Sequence, residues 1–293
     1  MNTWTYLTDP VYAGVYWPPI LTGLAVAVLC SLLSVLVVLK RMAFVGQGIS
    51  HAAFGGIGVA AVAGLVGSAA ALPTAGQAAA QFVVVLAFCL VAGLLIAWLS
   101  DRGGTEADTA IGIVLVAAMA MGAVLIQRAQ GTPSLESFLF GDILSVSWAD
   151  AAIGWAVALG VVVTLWAVRR PMIFWAFDPT VARALGVSDR AMSLLLMVLL
   201  ALATVTAMKL AGVVLTTAML VLPGALALRM SRRSGVVLVL AAAAALAGVL
   251  GGIVVSFELN WPTGASIVCV LTALFAVTWA VGLVRDRAKI ASP

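Results

Sequence analysis

The strongest constraint in this sequence is its repeated apolar stretches, each about as long as a bilayer is thick. A helix needs about 20 mostly apolar residues to cross the hydrocarbon layer. Nine stretches approach that length: 18–39, 43–66, 78–99, 108–127, 150–168, 191–208, 211–228, 235–257 and 264–284. If the short pair within 191–228 is a broken or re-entrant element, the count falls to eight.

Composition points to the same class of protein. Hydrophobic residues make up 64% of the chain and charged residues 9%, with a mean hydropathy of +1.22. A soluble domain of this size would expose many more charges. Unpaired backbone groups are not tolerated in lipid, and no alternating strand pattern is present, so the spans are helices. We expect an all-α, polytopic transmembrane helical bundle, forming a single domain over residues 1–293.

The basic residues predict the orientation of the bundle, because Lys and Arg concentrate in cytoplasmic loops. With nine spans, four basic clusters fall on one side: Lys40/Arg41, Arg169/Arg170 with Arg183 and Arg190, Arg229/Arg232/Arg233, and Arg285/Arg287/Lys289. The C-terminus is then cytoplasmic and the N-terminus outside. The segment 1–17, with its Trp and Tyr residues, is expected to lie at the membrane interface. The net charge of +4 says nothing about nucleic-acid binding, because in such a chain the positions of the basic residues report orientation.

The loop 171–190, between two spans, contains strong signals for the start and the end of a helix. Asp178 is a good N-cap residue and Pro179 suits the first helical position. After VARAL, Gly186 suits the left-handed position beyond the helix end, and Ser188 can cap the next helix. The sequence therefore predicts a helix of about two turns on the cytoplasmic face. It is either a simple surface connection or a docking helix for a cytoplasmic partner.

The second span contains GQGISHAAFGG (46–56), which holds His51, the single histidine of the chain. Four side chains at helical spacing share one polar face: Gln47, Ser50, His51 and Phe54. The neighbouring face has small residues that let membrane helices approach closely: Gly48, Ala52, Gly55 and Gly56. An ionisable residue inside a span suggests a functional site, although a lone histidine is often a structural hydrogen-bonding residue.

Four stretches resemble, in order, the membrane subunit of ATP-binding-cassette (ABC) importers for divalent metals, the manganese/zinc/iron permease family. They cover nearly the whole chain: KRMAFVGQGISHAAFGG (40–56), FLFGDIL (138–144), FDPTVARALGV (177–187), and AGVVLTTAMLVLPGALA (211–227) followed by WPTGASIV (261–268). The resemblance implies a prokaryotic cytoplasmic membrane. It also implies a working assembly of two copies of this chain, a cytoplasmic ATPase dimer and an extracytoplasmic metal-binding protein.

The resemblance also implies roles for particular residues. The loop 171–190 becomes the coupling loop to the ATPase, through Asp178, Pro179, Ala182, Arg183 and Gly186. The second span lines the substrate path with Gln47, Ser50 and His51, with His51 as the metal ligand. Outer-loop residues would help dock the binding protein: Glu136, Asp142 and Asn260. The chain itself would bind no cofactor and catalyse no reaction, since ATP would be hydrolysed on the partner subunit and the metal is the substrate.

One residue departs from the family pattern and keeps alternatives open. The family usually has Asp where this chain has Gln47, and an amide oxygen binds a divalent cation more weakly than a carboxylate. A metal chelate or another small solute is therefore a second possible substrate. An ion-coupled secondary carrier is a further alternative, but no Asp or Glu lies deep in a predicted span to bind the coupling ion.

Overall fold

The computed structural model describes residues 10–65, 75–102, 104–129 and 146–291. These residues form twelve helices and no strand. In chain order the helices are α1 (Pro10–Leu39), α2 (Val45–Val62), α3 (Ala75–Arg102), α4 (Ala107–Ala129), α5 (Trp148–Ala167), α6 (Arg169–Phe177), α7 (Pro179–Ala184), α8 (Asp189–Ala211), α9 (Val213–Met219), α10 (Leu222–Met230), α11 (Ser234–Leu259) and α12 (Thr263–Ala291). Nine stretches within the described residues are long and apolar enough to cross a membrane, which confirms the predicted all-α transmembrane class.

The boundaries differ from the predicted ones mainly at three places, one of which is the end of α12, at Ala291 instead of 284. Helix α1 begins at Pro10, so part of the predicted interfacial segment 1–17 is already helical. The seventh predicted span is divided into α9 and α10 by a turn at Leu220 and Val221. Pro223 follows this turn and has no backbone N–H to donate to the carbonyl one turn earlier, so an uninterrupted helix would lack that bond.

One compact unit consists of Met1–Ala43, Phe140–Arg169 and Leu210–Pro293, and contains α1, α5 and α9–α12. Its helices pack through small residues. Gly252 of α11 lies against α12, where an added Cβ would come within 2.4 Å of the Cα of Ile267. Gly224 of α10 lies against α1, where an added Cβ would come within 2.4 Å of the carbonyl oxygen of Ser34. Neither position has room for any side chain.

The other unit consists of Phe44–Leu139 and Arg170–Lys209, and contains α2, α3, α4, α7, α8 and almost all of α6. Helix α2 packs against both α3 and α4. The buried Cys89 thiol of α3 donates to the carbonyl of Ile49 on α2, with a sulfur–oxygen distance of 3.5 Å. This unit holds both the polar face of α2 and the short loop helix α7, which are two of the places where the sequence predicts function.

Candidate functional site

The polar face of α2 carries side-chain atoms that are buried without a hydrogen-bond partner. Ser50 is fully buried, and its Oγ accepts or donates no hydrogen bond within the described part of the chain. His51 is half-buried, yet its Nδ1 is enclosed and also without a partner among those residues. Such orphan groups are uncommon, because a buried polar atom without a partner costs free energy.

The predicted small-residue face is the packing surface of α2. An added Cβ at Gly48 would come within 2.7 Å of Ile111 on α4, and one at Gly56 within 2.9 Å of the backbone of Val85 on α3. At Gly55 it would meet both the Phe88 ring of α3 and a carbonyl of α4. The close approach that the sequence predicts is therefore present, and it holds α2 rigidly against two neighbours.

Phe54 belongs to this packing rather than to the polar set. Its ring and backbone lie against Gly122 of α4, where an added Cβ would be 2.8 Å from the Phe54 Cδ1 atom. The face predicted from helical spacing thus divides into two parts. Phe54 fills an interhelical contact, and Gln47, Ser50 and His51 remain as the polar group.

The polar group offers one imidazole nitrogen, one amide and one hydroxyl. No cluster of three or more His, Cys, Asp or Glu side chains that could hold a metal occurs within the described ranges. A single copy of this face therefore supplies at most one strong ligand, His51, and weak oxygen donors beside it. This arrangement suits brief, exchangeable contact with a cation and does not suit a closed structural metal site.

The predicted loop helix is present as α7, and its N-terminal cap has the predicted chemistry. The Asp178 carboxylate accepts hydrogen bonds from the backbone N–H groups of Thr180 at 2.9 Å and Val181 at 3.1 Å. Pro179 is the first helical residue. Because both donors lie in the first turn and have no intrahelical partner, the carboxylate fixes where α7 begins.

The end of α7 is equally well defined. Gly186 has a φ of +80°, and its N–H donates to the carbonyl of Arg183 at 3.0 Å, while the N–H of Val187 donates to that of Ala182 at 2.9 Å. These two bonds form a Schellman motif, for which a left-handed glycine is the usual residue. The hydroxyl of Ser188 then accepts from the N–H of Ala191 at 3.3 Å and caps α8. The predicted helix start and helix end signals of the loop are confirmed at Asp178, Pro179, Gly186 and Ser188.

The two central residues of α7 have opposite environments. Ala182 is completely buried, whereas Arg183 is exposed. On α7 the Arg183 side chain is therefore accessible, whereas the Ala182 side chain is enclosed. Any role of these residues in coupling stays a prediction.

The predicted outer-loop residues fall in two different places. Glu136 and Asp142 lie outside the described residues. Asn260 is exposed at the end of α11, in a left-handed conformation with a φ of +53°. The following turn is fixed by Ser256, whose hydroxyl donates to the carbonyl of Trp261 at 2.8 Å and contacts the Thr263 hydroxyl at 2.9 Å. Asn260 is thus displayed on a rigid corner, with the exposed Trp261 next to it.

The sequence did not single out two features of the same unit. Thr204 and Thr206 of α8 are buried hydroxyl side chains without a partner among the described residues, as Ser50 is. The sequence signal that could have found them is the stretch TVT (204–206), which places two hydroxyl side chains in an otherwise apolar span. The indole N–H of Trp175 on α6 also donates to the carboxylate of Asp189 at the start of α8. No local pattern predicts that contact, because fourteen residues separate the two side chains.

A family model for the ABC 3 transport family matches residues 15–282. The chain belongs to the ABC 3 transport family. The match includes both the polar group of α2 and the whole of α7. A secondary carrier, which the sequence alone left as an alternative, is therefore excluded by the family assignment.

Two named relatives and a solved structure resemble this chain over nearly its full length. The "Manganese transport system membrane protein MntC" of Halalkalibacterium halodurans is 33% identical over 281 residues, covering 95% of this chain and 91% of the relative. The "Probable iron transport system membrane protein" of Haemophilus influenzae is 31% identical over 282 residues, covering 96% and 99%. The structure "PsaBC from Streptococcus pneumoniae in complex with Fab" aligns with a TM-score of 0.76 at 26% identity, covering 94% of this chain and 93% of the other.

Proposed function

We propose that this chain is the membrane permease subunit of an ABC importer that carries divalent metal ions, such as manganese, iron or zinc, into the cytoplasm. The relatives from Halalkalibacterium halodurans and Haemophilus influenzae carry manganese and iron transport names, and the similarity extends over almost the whole chain. One observation of the site carries the proposal. The buried His51 Nδ1 and Ser50 Oγ have no partner within the described residues, although they lie on one face of a membrane helix.

The two atoms without partners support a substrate path because they contribute nothing to the stability of the fold. A polar group in an apolar interior costs about 1–3 kcal/mol when it is left without a hydrogen bond. Ionisable groups in membrane spans are correspondingly rare and mark routes for ions. A passing cation would coordinate the imidazole nitrogen and the hydroxyl oxygen, and so would satisfy both atoms during transit.

Two copies of the chain would make the path better suited to a cation. In a symmetric dimer each residue near the axis is repeated, so two imidazoles and two amides would face the same route. The ligands would still be few and mostly neutral, which keeps binding weak enough for release. This arrangement requires the α2 faces of the two protomers to approach one another across the axis.

The energy for transport would come from a separate cytoplasmic ATPase dimer that contacts α7. The sequence contains no Walker A motif or dinucleotide fingerprint, so ATP hydrolysis is assigned to the partner. A short helix that is capped at both ends can transmit a movement of the ATPase as a rigid body. The C-terminus is then cytoplasmic, and an extracytoplasmic metal-binding protein delivers the ion to the outer surface near Asn260 in a prokaryotic cytoplasmic membrane.

A metal chelate is the second candidate substrate, and Gln47 is the residue that favours it. An amide in place of a carboxylate removes the charge that would otherwise attract a bare cation. No described cluster of three His, Cys, Asp or Glu residues replaces that charge elsewhere. The two candidates differ in which form of manganese is taken up, the free ion or a preformed complex.

The test uses the whole importer, reconstituted in liposomes with its ATPase and its binding protein. We expect His51→Ala to reduce ATP-dependent uptake of free Mn²⁺ at least about tenfold, while the same amount of ATPase copurifies with the chain. Gln127→Ala is the control, because Gln127 is an exposed residue of α4 in the same unit. Unchanged Mn²⁺ uptake by His51→Ala would refute the assignment of His51 to the substrate path. Uptake of chelated manganese alone by the wild-type importer would favour the chelate.

A further inference from the structure

The loop that contains α7 is tied together at its base. The indole N–H of Trp175, near the end of α6, donates a hydrogen bond to the carboxylate of Asp189, the first residue of α8. The residues between them form α7 and its two caps. The side-chain hydrogen bond thus closes residues 175–189 into a ring that begins in α6 and returns at the start of α8.

Both partners of this bond are held in place by their own helices. Trp175 is almost fully buried, and it shares the buried face of α6 with Met172 and Ala176, at helical spacing. Asp189 lies in the first turn of α8, where a carboxylate is stabilised by the positive end of the helix dipole. A hydrogen bond to an ionised carboxylate is stronger than one between neutral groups. The bond therefore joins two ordered elements.

The backbone between Trp175 and Asp189 has little conformational freedom. The Asp178 side chain fixes the start of α7, and the Schellman bonds to Ala182 and Arg183 fix its end. The hydroxyl of Ser188 then caps α8 directly. With the Trp175–Asp189 bond in place, α7 cannot swing about its two connections without also moving the start of α8.

We propose that Trp175 and Asp189 are positioning residues that transmit movement of α7 to the membrane helix α8 during transport. The inference rests on the proposed function, because it takes α7 as the ATPase contact. Without the hydrogen bond, α6 and α7 could move together while α8 kept its position. ATP would then be hydrolysed with less movement of the membrane helix, so fewer ions would be carried per ATP.

The experiment measures uptake per ATP in the complete reconstituted importer, with Mn²⁺ as the probe. Trp175→Phe keeps an aromatic ring but removes the donor, and Asp189→Ala removes the acceptor. We expect each to lower Mn²⁺ uptake per ATP about fivefold or more, with ATPase association and basal ATP hydrolysis within about twofold of wild type. The double variant should be no worse than either single one, because both changes remove the same bond.

Two control variants separate positioning from general damage. Asp189→Asn retains an oxygen that can accept from the indole, so it should recover most of the uptake per ATP. Trp166→Phe makes the same change at an exposed tryptophan of α5 and should behave as wild type. If Trp175→Phe does not assemble, the contrast between Asp189→Ala and Asp189→Asn carries the test.

The outcomes distinguish this proposal from the proposed function. Wild-type uptake per ATP in Asp189→Ala, or equal losses in Asp189→Ala and Asp189→Asn, would overturn the positioning role. Unchanged ATPase association in Arg183→Glu would overturn the assignment of α7 as the contact. Normal uptake per ATP in Trp175→Phe, together with lost association in Arg183→Glu, would refute the positioning role and leave the proposed function intact.

Discussion

Gly122 of α4 is in direct contact with the backbone of Phe54 on α2. An added Cβ at Gly122 would stand 2.8 Å from both the carbonyl carbon and the carbonyl oxygen of Phe54. The Phe54 Cδ1 atom would lie equally close, but the carbonyl carbon and oxygen belong to the helix backbone and cannot turn away as a side chain can. The separation of α2 and α4 is therefore set by the absence of a side chain at this position.

A side chain at Gly122 should push these helices apart. We expect Gly122→Val to destabilise the purified chain by about 1–3 kcal/mol, the usual cost of overpacking, and to lower its midpoint of thermal unfolding in detergent. Gly112→Val on the same helix is the matched control, because an added Cβ at Gly112 has nothing within 4 Å. Equal midpoints for the two variants would contradict the packing described for α2.

Removing the cap of α7 should weaken ATPase binding without removing the contact residue. Asp178→Ala loses two hydrogen bonds to backbone N–H groups, those of Thr180 and Val181, which costs about 1 kcal/mol. We therefore expect about fivefold weaker association with the ATPase, measured by titration of the purified subunits. Asp178→Asn keeps a capping oxygen and should bind nearly as wild type. A loss of the same size in Asp178→Asn would point to the charge rather than the cap.

The two central residues of α7 should respond differently to a new carboxylate. Arg183 is exposed, so Arg183→Glu should leave the thermal midpoint unchanged but abolish ATPase association. Ala182 is fully buried, so Ala182→Glu should destabilise the loop itself by several kcal/mol, because burying an unpaired charge is costly. Thermal unfolding and ATPase copurification separate these effects. Normal stability for Ala182→Glu would show that the loop opens readily.

A carboxylate at Gln47 should strengthen cation binding on the polar face of α2. Gln47 precedes His51 by one helical turn, so Gln47→Asp places a negative charge beside the imidazole. We expect the KM for free Mn²⁺ to fall about threefold or more, since oxygen anions bind divalent cations better than amides do. Gln127→Asp, on α4, is the control for added charge. A rise in KM would argue that bare cations do not pass Gln47.

The spans and the loop helix were predictable because their signals are local. Solvation in lipid requires long apolar helices wherever the chain crosses, so length and composition suffice to find them. The start and end of α7 follow from two residues with specific preferences, Asp178 for a free N–H group and Gly186 for a left-handed conformation. In both cases the cause lies within one or two turns of its effect.

The remaining features depend on contacts between distant parts of the chain. Spacing placed Phe54 on the polar face, but its packing depends on Gly122 in another helix. The bond between Trp175 and Asp189 likewise joins α6 to α8, and neither residue is an unusual choice within its own helix. The turn at Leu220 and Val221, just before Pro223, divides a span that the apolar pattern predicts as one segment. Such tertiary effects override or extend what a local pattern can specify.

The division of the chain into two interleaved units has a consequence for biosynthesis. The unit made of Phe44–Leu139 and Arg170–Lys209 has all its parts once the ribosome has passed Lys209. The other unit starts earlier, with Met1–Ala43, but it also needs the stretch that begins at Leu210. Because segments join the fold as they emerge, the unit that begins second is the first to be complete. The polar group of α2 and the ring around α7 are therefore assembled while α1 still awaits its partners from the end of the chain.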